Sequence, residues 1–149
     1  MARSKIPVSV LVIVYTRDRQ VLLLERADHP GYWQSVTGSQ DAGEDLFDTA
    51  VREVAEETGL DAHTYSLTDW RVEYRFEIFA EWRHRYAPGV THNDEHVFGL
   101  LLPEPLPIKL NSREHIGFIW LPCKEAAKKV FSWSNAAAIR RLPEFAPKA

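Results

Sequence analysis

Hydrophobic positions along this chain change period several times, and each change marks an element. Pro7–Thr16 is rich in Val and Ile and reads as a buried strand. Arg17-Asp18-Arg19-Gln20 is a polar turn, and Val21–Arg26 reads as the returning strand of a hairpin. Asp28-His29-Pro30-Gly31 is a turn, Trp33–Thr37 a short strand leading to Gly38, and Ser39–Gly43 a loop. The spacing then becomes helical from about Asp45 to Thr58, with Leu46, Phe47, Ala50, Val51, Val54 and Thr58 as the buried stripe. Gly59 stands where a C-terminal glycine cap belongs. Asp61–Asp69 is polar without clear period and reads as a connection. Trp70–Trp82 alternates as a long strand, and His84–Asn93 is a loop containing Pro and Gly. Glu95–Leu102 and His115–Trp120 read as further strands. Cys123–Val130 and Asn135–Arg141 read as closing helices.

Strands and helices mix without strict alternation, which predicts an α+β (mixed α/β) fold rather than a doubly wound sheet. The 149 residues suit one domain, 1–149, and no repeat, low-complexity tract or linker divides them. Hydrophobic residues make up 45%, enough for a real core. A net charge of −3 argues against a nucleic-acid or membrane-surface partner. Val8–Tyr15 is too short for a membrane span, and no small-residue cleavage site follows the Met1-Ala2-Arg3-Ser4-Lys5 start. The single cysteine, Cys123, excludes an internal disulfide and reads as a buried small residue. A cytoplasmic protein, monomer or homodimer, is the expectation.

The chemistry concentrates between Gly38 and Leu60. Glu53, Glu56 and Glu57 stand three and four residues apart, so they share one helix face. Like charges clustered there are unfavourable unless a cation neutralises them. Their hard oxygens suit Mg²⁺, with Mn²⁺ as a substitute, rather than zinc. Gly38 allows close backbone approach after the strand, and Gly43 gives the loop a second flexible point. Arg52 can pair with Glu44 or another carboxylate and hold its rotamer.

Gly38, Glu44, Arg52, Glu53, Glu56, Glu57 and Gly59, with aliphatic Val54 and Leu60, match every specified position of the Nudix box. The chain therefore resembles the Nudix hydrolases. The resemblance implies a mixed sheet between helices and metal-dependent attack of water on a phosphoanhydride. A lone acidic helix face is usually just solvated, but one in register with these glycines and this arginine is not.

Four further segments are Trp33-Gln34-Ser35-Val36-Thr37-Gly38, Phe76-Glu77-Ile78-Phe79, Arg83-His84-Arg85-Tyr86-Ala87-Pro88-Gly89-Val90-Thr91 and Ser132-Trp133-Ser134-Asn135. With them the chain looks like the bacterial branch that cleaves dihydroneopterin triphosphate in folate synthesis. This likeness runs from about Pro7 to Asn135 and weakens around 61–69 and 103–112. It implies metal ligands at Glu53, Glu57 and Glu114, with Glu56 a further ligand or an orienting group. Glu114 either closes the coordination shell or accepts the proton of the attacking water. It implies substrate contacts at Lys5, Arg26, Thr37, Phe76, Glu77, Ile78, Phe79 and Ser132. Lys5 and Arg26 suit triphosphate charge, Thr37 offers a hydroxyl, and Phe76 or Phe79 suits a flat bicyclic ring. The run Arg83-His84-Arg85-Tyr86 either steers anionic substrate, supports a neighbouring subunit or is an exposed strand end. Two rival readings use the same box. One is a hydrolase of (deoxy)nucleoside triphosphates or dinucleoside polyphosphates, and the other a nucleotide-binding module without catalysis. The complete set of box acids favours a catalyst.

Overall fold

The computed structural model describes residues 4–148; the Met1–Arg3 start lies outside them. The predicted hairpin is present as strands β1 (Val8–Thr16) and β2 (Gln20–Arg26). The two pair only where Tyr15 faces Val21, then splay apart. The opening takes in the next stretch, which is two strands rather than one. β3 (Trp33–Gln34) pairs with β2, and β4 (Val36–Ser39) pairs with β1. The break falls at Ser35, whose backbone N–H donates to Asn135 Oδ1 at 2.8 Å. Asn135 Nδ2 in turn donates to Ser35 Oγ at 2.9 Å.

The sheet continues through β5 (Ser66–Glu77), β6 (His92–Leu102) and β7 (His115–Pro122). Its order is β3-β2-β1-β6-β5, with β4 on β1 and β7 on β2. β1 and β6 run parallel in register from Val8 opposite Asp94 to Thr16 opposite Leu102; β5–β6 and β2–β7 are antiparallel. The sheet is thus mixed, as expected for the α+β class.

One face is covered by helix α1 (Leu46–Thr58). Asp45 caps its start, accepting from the Asp48 N–H at 2.8 Å. Gly59 ends it at φ 76°, donating its N–H to Ala55 at 3.0 Å. Ala50 and Val54 pack on Val10, Val12, Leu22 and Phe98 as expected. Phe47 departs from the predicted stripe and stays 41% exposed. The buried arc is rotated towards Thr49, Glu53 and Glu57, because that side meets β4 and its loop. Helices α2 (Cys123–Lys129) and α3 (Trp133–Arg140) cover the opposite face, followed by a single turn, α4 (Leu142–Phe145). Leu11, Ile13, Val97, Ala138 and Ile139 form the core there. Cys123 is only half-buried, its Sγ donating to Ile139 O at 3.3 Å, which corrects the buried reading.

Two boundaries differ from the pattern. β5 begins at Ser66, inside the stretch read as a connection. It is an edge strand, and a bulge between Asp69 and Val72 leaves Trp70 and Arg71 without partners on β6. Arg71 takes φ 57° there. A bulge breaks the two-residue alternation, so no period was visible. The same strand stops at Glu77, and Ala80–Arg85 coils as a 3₁₀ turn. Arg83 Nε ties the turn back to Ile78 O at 3.0 Å, and Phe79 stacks on Trp82 at 5.1 Å. The Arg83–Tyr86 run is therefore no strand end.

The bulge lays the Trp70 indole over Gly99 and stacks it on Phe145 at 4.5 Å. A Cβ at Gly99 would overlap that indole. Gly99→Ala is expected to destabilise the fold by roughly 1–3 kcal/mol through overpacking. Urea unfolding followed by tryptophan fluorescence checks this; an unchanged midpoint contradicts it.

Candidate active site

Arg52 organises the acidic end of α1. Its guanidinium donates to Glu44 at 2.9 Å from both Nε and Nη2. It also donates to Glu53 Oε1 at 2.7 Å and to the Ser39 carbonyl at 3.0 Å. Asp41 and Glu56 stand within ion-pair reach at 3.3 and 3.5 Å. The pairing expected between Arg52 and Glu44 is present, and it holds the Glu44 carboxyl down at about 2. Gly38 completes the clamp. Any Cβ there would overlap the Glu53 carboxyl, so only glycine lets this acid lie against β4.

The three box acids then divide. Glu53 and Glu57 are buried at 8% and 1% exposure, whereas the Glu56 side chain is about half exposed at 49%. Burial, aided by the Glu56 charge, pushes the Glu53 carboxyl above its ordinary range. Burial pushes Glu57 further up, with Glu53 and Glu114 adding like charge. Among the described residues, neither carboxylate oxygen of Glu57 has a hydrogen-bond partner. Buried polar atoms are normally satisfied, so this pair of oxygens is a donor set suited to a cation.

β7 brings the distant residues in. Glu114, exposed, and His115, buried, present ligand atoms that with Glu57 all lie within 4.8 Å of one another. His115 Nε2 is 3.7 Å from Glu57 Oε1 and 3.2 Å from Gln34 Nε2. Burial and the nearby Arg26 charge lower its pKa to about 4, so it is neutral at neutral pH. His115 and Gln34 were not singled out from sequence. The adjacency of His115 to Glu114 was the available signal.

These groups open on a cavity of about 1260 Å³. Lys5, Arg26, Thr37, Phe76, Glu77, Ile78, Phe79 and Ser132 all line it, as do Glu53, Glu57 and Glu114; Glu56 does not. Several of these side chains are already engaged. Arg26 holds Asp28 through bonds of 2.8 and 2.7 Å and Gln34 at 3.0 Å. It lies over Trp82 at 4.5 Å. Thr37 Oγ1 donates to Val10 O at 2.9 Å, leaving the hydroxyl as an acceptor. Ser132 caps α3, accepting from the Asn135 N–H at 3.1 Å. Glu77 pairs with Arg83 at 3.0 Å, and Ile78 is buried. Phe79 and Phe131 meet edge to face at 6.0 Å, forming an aromatic wall with Trp82. Arg85, another lining residue, approaches Asp28 at 3.4 Å.

A model of the NUDIX domain matches residues 5–142. The chain belongs to the Nudix family. It is 46% identical over 141 residues to the dihydroneopterin triphosphate diphosphatase of Escherichia coli, 93% of each chain being covered. It is 43% identical over 136 residues to the Haemophilus influenzae protein of the same name, covering 89% of this chain and 85% of that one. The solved E. coli dihydroneopterin triphosphate pyrophosphohydrolase superposes with a TM-score of 0.88 at 45% identity, over 96% of this chain and 97% of that one. The protein is thus a Nudix hydrolase. Nudix hydrolases generally use divalent metals, and the oxygen-rich Glu57–Glu114–His115 group fits such an ion.

Two expectations follow. Gly38→Ala is expected to drive the Glu53 carboxyl off its place between β4 and Arg52 and weaken divalent-cation binding roughly ten- to a hundredfold. Calorimetric titration with Mn²⁺ checks this, and an unchanged affinity rejects the close-approach role. The second concerns Glu95 on β6, buried at 5% exposure. Burial pushes its carboxyl up to about 7, against the pull of the Ser134 hydroxyl. Because the folded chain then holds this proton more tightly than the unfolded one, its contribution to stability is full below pH 4.5 and is lost as pH rises to 7. The loss is roughly 3 kcal/mol. Chemical denaturation in EDTA between pH 5 and 8 is expected to show the wild type falling relative to Glu95→Gln. Parallel curves would contradict the shift.

Proposed function

We propose that this Nudix hydrolase cleaves dihydroneopterin triphosphate into dihydroneopterin phosphate and diphosphate, a cytoplasmic step towards folate. The observation that carries this reading is the identity of 46% spread over 93% of both chains, well outside the box that all Nudix enzymes share. The cavity supports it, because buried acids, cationic side chains and an aromatic wall all line it.

Glu53, Glu57 and Glu114 would hold Mg²⁺, with Mn²⁺ as a substitute. Bound there, the ion supplies charge neutralisation at phosphate oxygens and acidifies water. The protein's own part is positioning. Arg52 holds Glu53 through a 2.7 Å bond, and the unpartnered Glu57 oxygens stay aimed at the cavity. Lys5, Arg26 and Arg85 place positive charge along the phosphate chain and stabilise what develops on departing diphosphate. Phe79, part of the aromatic wall with Trp82 and Phe131 and itself 41% exposed, supplies an apolar flank for the flat ring system. Water attacks phosphorus in line, its proton passes to a carboxylate of this acid set, and no covalent enzyme intermediate is required.

Incubation with dihydroneopterin triphosphate and Mg²⁺ in labelled water is expected to yield the monophosphate and diphosphate, with the label marking the attacked phosphorus. Glu57→Gln is expected to keep the fold and lower kcat by about three orders of magnitude or more. A kcat within about threefold of wild type rejects the role of Glu57. A higher kcat/KM on dATP or a dinucleoside tetraphosphate rejects the pterin assignment.

A further inference from the structure

Away from the acidic helix, β6 carries two polar side chains at positions that should be apolar. Side chains alternate along a strand, so Asn93, Glu95 and Val97 point to one face. Val97 enters the core, but Asn93 and Glu95 line the cavity instead. Both are buried, at 2% and 5% exposure. Asn93 Nδ2 donates to Ser9 Oγ at 2.7 Å, which leaves its carbonyl oxygen as the free acceptor of a side chain that lines the cavity. That oxygen, Asn93 Oδ1, has no partner among the described residues, and neither does Glu95 Oε1. Two buried acceptors two residues apart therefore face a cavity with nothing donating to them. An unmade hydrogen bond at a buried polar atom is unfavourable, and a ligand that donates to it gains correspondingly.

Both atoms are acceptors, so a ligand that suits them is rich in adjacent donors. A 2-amino-4-oxopyrimidine ring offers that edge, with a ring N–H beside an exocyclic amine. A carboxylate takes such a pair in a bidentate fork. Adenine offers only its amine, and hypoxanthine only its ring N–H. We propose that Glu95 and Asn93 are specificity-determining residues that read the ring N–H and 2-amino group of the substrate's pyrimidine ring. Phe76, the cross-strand neighbour of Asn93, lines the same cavity and supplies an apolar flank. Burial has already pushed the Glu95 carboxyl up to about 7, and arriving N–H donors restore the hydrogen bonding the buried acid lacks. This inference rests on the pterin reading and narrows it. The same wall accepts guanine, which presents the identical donor pair.

Calorimetric titration in EDTA with neopterin, guanosine, inosine and adenosine tests it without hydrolysis. Neopterin and guanosine are expected to bind at least about tenfold more tightly than inosine or adenosine, since a polar site rejects analogues that leave it unpaired. In Glu95→Gln, where an amide donor opposes the ligand's donors, that preference is expected to fall within about threefold. The variant's KM for dihydroneopterin triphosphate is expected to rise while kcat stays within about threefold, as for lost ground-state binding. Equal binding of guanosine and inosine by the wild type overturns the inference, and that measurement needs no variant. So does the absence of neopterin binding at millimolar concentration, or unchanged neopterin affinity in Glu95→Gln. If dihydroneopterin triphosphate is still cleaved in those cases, the hydrolase reading survives. If the nucleosides are discriminated but no triphosphate is cleaved, the hydrolase reading fails and the recognition wall stands.

Discussion

Everything at the acidic end of this protein depends on one guanidinium. Arg52 contacts Glu44, Glu53, the Ser39 carbonyl and, at longer range, Asp41 and Glu56. Each of these groups belongs to the end of β4, to the loop that follows it or to α1, so a single planar cation ties strand and loop to helix. The geometry also explains how buried acids are tolerated. Glu53 retains a charge-assisted bond at 2.7 Å while Glu57, one turn on, retains none. One acid is held and the other is left free to bind. A lysine at 52 would supply the charge without the fork that reaches Glu44 and Ser39 together.

The second constraint is the splayed hairpin. β1 and β2 meet at one residue pair and then diverge, and the gap is filled by β3 and β4 with Ser35 pinned to Asn135 between them. That pin joins the sheet to the N-terminus of α3. It places α1, β7, the turn at 80–85 and the start of α3 around one opening. The cavity is therefore a consequence of a sheet that does not close, rather than of a loop laid over a finished core. Polar residues at inward positions of β6 mark where packing gives way to recognition.

Much of this was legible. The hairpin, the helix ending at Gly59 and the two later helices follow from period and caps, because those signals act within a few residues. The box acids and their Arg52 partner were readable for the same reason. Phe47 was misplaced because periodicity defines a stripe but not the angle at which it meets the sheet. The bulge at Trp70-Arg71 hid the start of β5 by shifting its alternation. The 3₁₀ turn at 80–85 was hidden because aromatic stacking and an Arg83 bond to Ile78 override a strand-like pattern. Cys123 lies at a helix start, where part of its surface faces outward.

By itself the sequence determined the spacing of carboxylates on α1, a glycine placed for close backbone approach and an arginine able to pair with Glu44. Those depend on bonds and helical turns only a few residues long. Only the tertiary structure decided that His115 joins Glu57 and Glu114, that Ser35 meets Asn135, and that Asn93 and Glu95 face a cavity rather than water. These depend on strand register across long stretches of chain. A residue's burial, and with it the chemistry of its carboxyl, is set by neighbours that no local pattern names.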